Sequence, residues 1–142
     1  MDPELKIKVA QAAAKTFAGT PVFLAYAFGS RCTGRARPDS DLDLGYYLTA
    51  GAPARVLPLR EEMILATRLS ALVGLDVDLR GLGEAPLEVR GRVLEEGVRI
   101  YCSDEVARVN LERDLLGAYH DQKFDFQRFH DMRLERFAAR KM

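Results

Sequence analysis

Asp41 and Asp43 stand one residue apart in DLDLGYYL, a stretch that alternates strictly: Asp41, Asp43, Gly45 and Tyr47 against Leu42, Leu44, Tyr46 and Leu48. A period of two is that of a β-strand, so both carboxylates share one face, with Cα atoms about 6.5–7 Å apart. Side chains placed this way can converge on one cation, or on two about 3.5–4 Å apart, the spacing of two-metal phosphoryl-transfer sites. Gly45 on the same face leaves room for something bulky beside them. LDVDL at 75–79 repeats the pattern, and Asp76 and Asp78 would add a third carboxylate if that strand lay beside the first. Three hard oxygen donors with open positions suit Mg²⁺ or Mn²⁺ better than zinc. A solvated sheet edge can present D-x-D as well, but strands are depleted in Asp, and here two strands each carry the pair.

Upstream, the apolar run VFLAYAF at 22–28 ends in Gly29-Ser30. A glycine closing a buried strand, followed by a hydroxyl, can present backbone N–H groups and an Oγ to a phosphate, above all if a short helix begins there. Arg31, Arg35 and Arg37 add positive charge nearby, and the residues alone leave open whether they touch a nucleotide or solvate the loop. Cys32, Cys102, His120 and His130 have neither zinc-site nor triad spacing and read as ordinary side chains.

The elements that must position these groups follow from periodicity. Helical spacing predicts a first helix over 4–18, stopped by Gly19 and Pro21, and a second over 59–73, closed by Gly74. Residues 22–28 read as a strand buried on both faces, and 41–48 as a strand with one polar face. Strands at 75–79 and 98–102 flank a short helix from Pro86 to about Glu96, with Gly97 as its stop. Ser103 is expected to cap a long helix over 104–137, broken near Gly117 to Asp125. The order predicts an α+β fold, a small mixed sheet of about four strands with helices packed on it.

With 142 residues, 48% of them hydrophobic, the sequence predicts one soluble domain, with 104–142 a mostly helical extension. Lys+Arg and Asp+Glu balance at 21 each, which argues against a nucleic-acid or membrane-surface protein. No stretch reads as a signal peptide or membrane span, so the expected location is the cytoplasm. Phe124, Phe126, Phe129 and Phe137 lie among basic residues in the last segment. From Asp104 onward the eight acidic and eight basic residues cancel, which favours the segment's own core, a homo-oligomer or a protein partner over RNA.

Gly29-Ser30, ten residues from Arg31 to Ser40, then Asp41-Leu42-Asp43 give G-S-x10-D-x-D. This resembles the minimal nucleotidyltransferases of the DNA polymerase beta-like superfamily, the small proteins often partnered with HEPN-domain proteins. The likeness extends through VDL at 77–79, and the stretch from Ala85 to Asp121 is similar to the MntA-type antitoxin branch. The resemblance implies a polymerase beta-like fold and ATP as substrate. It implies two Mg²⁺ ions held by Asp41, Asp43 and Asp78, the last chosen over Asp76 because it fits the V-D-hydrophobic pattern. It further implies phosphate binding at Gly29 and Ser30, and Arg31 beside them is taken as a third nucleotide-binding residue. The implied reaction transfers AMP from ATP to a tyrosine hydroxyl of a partner HEPN toxin and silences it, with Asp78 as general base. Two alternatives are an antitoxin that only occludes its toxin and a transferase acting on a small molecule such as an aminoglycoside.

Overall fold

In the computed structural model, which describes residues 1–34 and 37–122, the chain opens on α1 (Pro3–Phe17). Asp2 caps it, its carboxylate accepting the Leu5 N–H at 3.2 Å, and Pro3 occupies the first turn, where a missing N–H costs nothing. Then follow β1 (Val22–Phe28), α2 (Ser30–Thr33), β2 (Leu42–Leu48), α3 (Leu59–Val73), β3 (Val77–Gly81), α4 (Leu87–Glu96) and β4 (Val98–Cys102). After β4, helix α5 runs over 105–122 among the described residues. Arg35 and the segment 123–142, with its four phenylalanines, lie outside the described residues.

The strands form one mixed sheet in the order β3-β2-β1-β4. β1 pairs antiparallel with β2 and β4, while β2 and β3 run parallel, joined by α3 as the crossover that a parallel pair requires. This is the α+β arrangement expected from the sequence. β1 lies in the middle and is buried on both faces, hence its unbroken apolar run.

Apolar layers cover both faces of the sheet. On one, Val9, Ala13 and Phe17 of α1 and Leu65, Leu69 and Val73 of α3 pack on Leu42, Leu44, Tyr46 and Leu79. On the other, Tyr26, Tyr47, Leu82 and Val93 form a second cluster against which Ala107 and Leu111 of α5 pack. Leu42 and Leu44 are fully buried, so truncating either to alanine would cost about 2–5 kcal/mol.

Five local expectations shift. β2 is polar on its second face only at Asp43, because Gly45 and Tyr47 beyond it are buried. The space beside Gly45 is filled: a Cβ there would lie 2.6 Å from Leu82 Cδ1. β3 begins at Val77, since the left-handed Gly74 (φ +82°) turns the chain and leaves Asp76 ahead of the strand. Asp104 rather than Ser103 caps α5, its Oδ1 accepting the Ala107 N–H at 3.1 Å. α5 also continues through Gly117, because Leu115 and Tyr119, one turn apart and both 5% exposed, anchor it on either side. The Tyr119 ring rests on Gly91 of α4, where no side chain would fit.

Candidate active site

The end of β1 and the start of β2 are neighbours, since Phe28 pairs with Asp43. Gly29 therefore turns directly above the Asp43 carboxylate. Its φ of +80° lies in the region that favours glycine, and a Cβ on it would collide with Asp43 Oδ2. The turn opens α2, whose first N–H groups, at Ser30 and Arg31, have no partners within the helix. The glycine turn and the D-x-D strand thus form one locus.

Across the sheet, Asp43 stands opposite Asp78 in the parallel β2–β3 register, so both side chains emerge on the same face. Adjacent strands lie about 4.8 Å apart, which brings the two carboxylates into each other's field. The Asp43 carboxyl is pushed up from its ordinary value, first by burial and then by the charge of Asp78, with Asp41 adding a smaller effect. Arg80, next along the same face of β3, opposes this and holds Asp78 Oδ2 through Nη2 at 2.9 Å. Its Nε donates to the same oxygen at 2.9 Å, and the side chain is 71% exposed.

Asp41 lies one residue ahead of β2 and is exposed. With Asp39, Ser40, Asp76 and Ser70 it lines a cavity of about 340 Å³ next to the C-terminal end of α3. Asp76 contributes to the sheet through its carbonyl, which accepts the Leu42 N–H at 2.8 Å. Among the described residues no three Asp, Glu, His or Cys side chains are grouped closely enough to hold a metal ion as they stand. The pair Asp43 and Asp78 nevertheless fits a divalent cation. Both supply hard oxygen donors, and their mutual repulsion is what a cation between them would relieve.

Arg31 does not point away from the protein. Its Nε and Nη2 donate to the Ser40 carbonyl at 3.0 and 2.7 Å, and Nη2 also approaches the carbonyls of Pro38 and Arg37 at 3.3 and 3.4 Å. Arg37 itself is exposed. Cys32 is half-buried against the core, and burial pushes its thiol up, away from nucleophilic character. Sequence reasoning missed Arg80, although its place two residues after Asp78 on a strand put it on the acidic face. It also missed Leu82, which no local pattern brings against Gly45.

A family model described as "Polymerase beta, Nucleotidyltransferase" matches residues 11–106. That span includes Gly29, Ser30, Asp41, Asp43 and Asp78. Among solved structures, the chain is similar to one from a toxin–antitoxin complex with AMP-PNP: 20% identity, TM-score 0.66, covering 91% of this chain and 98% of that one. It is similar to a chain of the toxin–antitoxin MntA–HepT, at 18% identity and TM-score 0.63, covering 94% of this chain and 99% of that one. It also matches a chain from the complex of tri-AMPylated Shewanella oneidensis HEPN toxin with MNT antitoxin, at 19% identity and TM-score 0.63, covering 94% and 99% respectively. At these identities the likeness is one of fold. No curated protein matches the chain.

Proposed function

The chain belongs to the polymerase beta nucleotidyltransferase family, and from that premise we propose that it transfers AMP from ATP to a tyrosine hydroxyl of a partner HEPN-type toxin in the cytoplasm, acting as the antitoxin. The observation that carries this reading is the convergence of Gly29 and Asp78 on Asp43 from two different neighbouring strands. Two similar folds come from complexes bearing on the same chemistry, one with AMP-PNP and one with a tri-AMPylated HEPN toxin. Among the described residues no helix is long and apolar enough to cross a membrane.

In this reading the backbone N–H groups and hydroxyl at Gly29-Ser30 receive the β- and γ-phosphates of ATP. Asp41, Asp43 and Asp78 would hold Mg²⁺ or Mn²⁺, which when bound supplies the positive charge that neutralises the phosphates and activates the α-phosphorus. The acceptor oxygen bonds to the α-phosphorus, the α–β anhydride bond breaks, and pyrophosphate leaves with that electron pair. Asp78, half-buried beside Asp43, takes the hydroxyl proton once Arg80 releases it. The remaining requirement is alignment, which phosphoryl transfer rewards strongly.

One observation favours a second reading, a non-catalytic antitoxin that occludes the toxin: Asp41 is not gathered with Asp43 and Asp78 among the described residues. Incubation with ATP, Mg²⁺ and a candidate HEPN-domain toxin separates the two. The mass of AMP added to a toxin tyrosine is the expected result. Protection of cells by an Asp41→Asn/Asp43→Asn variant without that mass would overturn the enzymatic reading.

A further inference from the structure

Asp43 and Asp78 take their directions from strands, but Asp41 does not. It precedes β2, and its side chain is exposed. The peptide groups on either side of it are nevertheless both held. Behind it, the Leu42 N–H donates to the Asp76 carbonyl at 2.8 Å, the first rung that joins β2 to β3. Ahead of it, the Ser40 carbonyl accepts from both Nε and Nη2 of Arg31, at 3.0 and 2.7 Å. The turn that delivers Ser40 is closed on itself, with Ser40 N–H to Arg37 O at 3.0 Å and Arg37 N–H to Ser40 Oγ at 2.8 Å. The same Arg31 Nη2 gathers the carbonyls of Arg37 and Pro38.

We infer that Arg31 is a positioning residue that sets the place of Asp41, and with it the distance between the phosphate turn and the acidic strand, rather than a ligand of the nucleotide. Arg31 sits on α2, directly after Ser30, and spans from the turn to the loop that feeds β2. A guanidinium suits this work because its planar fork reaches one carbonyl from two nitrogens, a geometry that an ammonium does not reproduce. Half-buried, with two of its nitrogens committed to backbone carbonyls, Arg31 fastens one half of the site to the other.

This inference rests on the nucleotidyl-transfer reading for its kinetic consequences, though not for its structural ones. Arg31→Ala and Arg31→Lys are compared with the wild-type chain. Hydrogen exchange followed by NMR is expected to show protection lost by several-fold at the Ser40 and Leu42 amides in both variants, and unchanged at Leu44 and Tyr46. In the transfer assay, the Mg²⁺ midpoint is expected to rise about 10-fold, as when the groups that orient a metal ligand are removed. kcat is expected to fall about 10- to 100-fold, the scale of a misplaced reacting group. The KM for ATP at saturating Mg²⁺ should stay within about 3-fold, below the cost of losing a charge-assisted phosphate contact. A raised KM for ATP with an unchanged Mg²⁺ midpoint would overturn the inference and make Arg31 a nucleotide ligand. Unchanged exchange at Ser40 and Leu42 would overturn it on structural grounds. Rescue by lysine would do so as well. If the wild-type chain transfers no AMP, the proposed function fails while the exchange experiment still decides the role of Arg31.

Discussion

Asp43 on β2 and Asp78 on β3 occupy the same register of a parallel strand pair, so two carboxylates distant in sequence face the same side of the sheet at one level. Burial and the charge of Asp78 push the Asp43 carboxyl up, which means that ionised Asp43 costs the metal-free fold stability. Asp43→Asn removes that charge. The variant should melt above the wild type in EDTA at neutral pH, and added Mg²⁺ should raise the melting temperature of the wild type only. Transfer of AMP should fall by about 100-fold or more. An Asp43→Asn chain that melts lower and keeps its Mg²⁺ response would refute this account of the pair.

Gly29 and Gly34 offer an internal comparison. Both have positive φ, +80° and +76°, but only Gly29 has a neighbour in the way, the Asp43 carboxylate. Gly34→Ala should cost about 1–2 kcal/mol from backbone conformation alone. Gly29→Ala should cost at least about 1 kcal/mol more, because the carboxylate must move. Urea denaturation gives the two values. Activity should survive in the Gly34 variant and be lost in the Gly29 variant.

Gly45 tests the packing that replaced the expected open space. An added Cβ meets Leu82 Cδ1, Cγ and Cδ2 at 2.6, 2.8 and 3.0 Å. Gly45→Ala should destabilise by about 1–3 kcal/mol through overpacking. Combined with Leu82→Ala it should cost less than the sum of the single changes, and a double-mutant cycle in urea measures the difference. Strict additivity would mean that the two residues do not share the space.

Tyr26 and Tyr46 govern the alkaline limit. Tyr26 is 4% exposed and donates to Glu112 at 2.5 Å, and fully buried Tyr46 donates to Glu62 at 2.5 Å while accepting the Leu57 N–H. Burial first, and then the carboxylate partner, push both phenols far above their ordinary 10.0. Below that value both folded and unfolded chains keep these protons, so the stabilisation is fully present. Above it only the unfolded chain ionises, and stability falls as pH rises. Chemical denaturation midpoints should drop steadily above pH 10.0, less steeply in Tyr26→Phe, and tyrosinate absorbance from these two groups should appear only with unfolding.

Much of the fold was legible because its signals are local. Helical spacing marked α1 and α3, the apolar run of VFLAYAF marked a strand covered on both faces, and alternation in DLDLGYYL placed Asp43 and Leu44 on opposite sides. The residue order Gly29-Ser30, ten residues, Asp41-Leu42-Asp43 was likewise readable, and it pointed to the family that residues 11–106 match. Boundaries were less legible. Asp41 and Asp76 read as strand residues from their alternation, but backbone pairing begins only at Leu42 and Val77.

Residue order therefore settled which helices and strands form and which side chains share a face of each, because helix and strand periods are properties of a short stretch of chain. Only the tertiary structure decided that β3 lies parallel to β2 with Asp78 level with Asp43, that Leu82 fills the space over Gly45, and that Arg31 reaches back to Ser40. Those relationships join residues that are not neighbours on one element. They are set by how two apolar layers close over both faces of one sheet, where burial and backbone pairing across the whole fold outweigh any local preference.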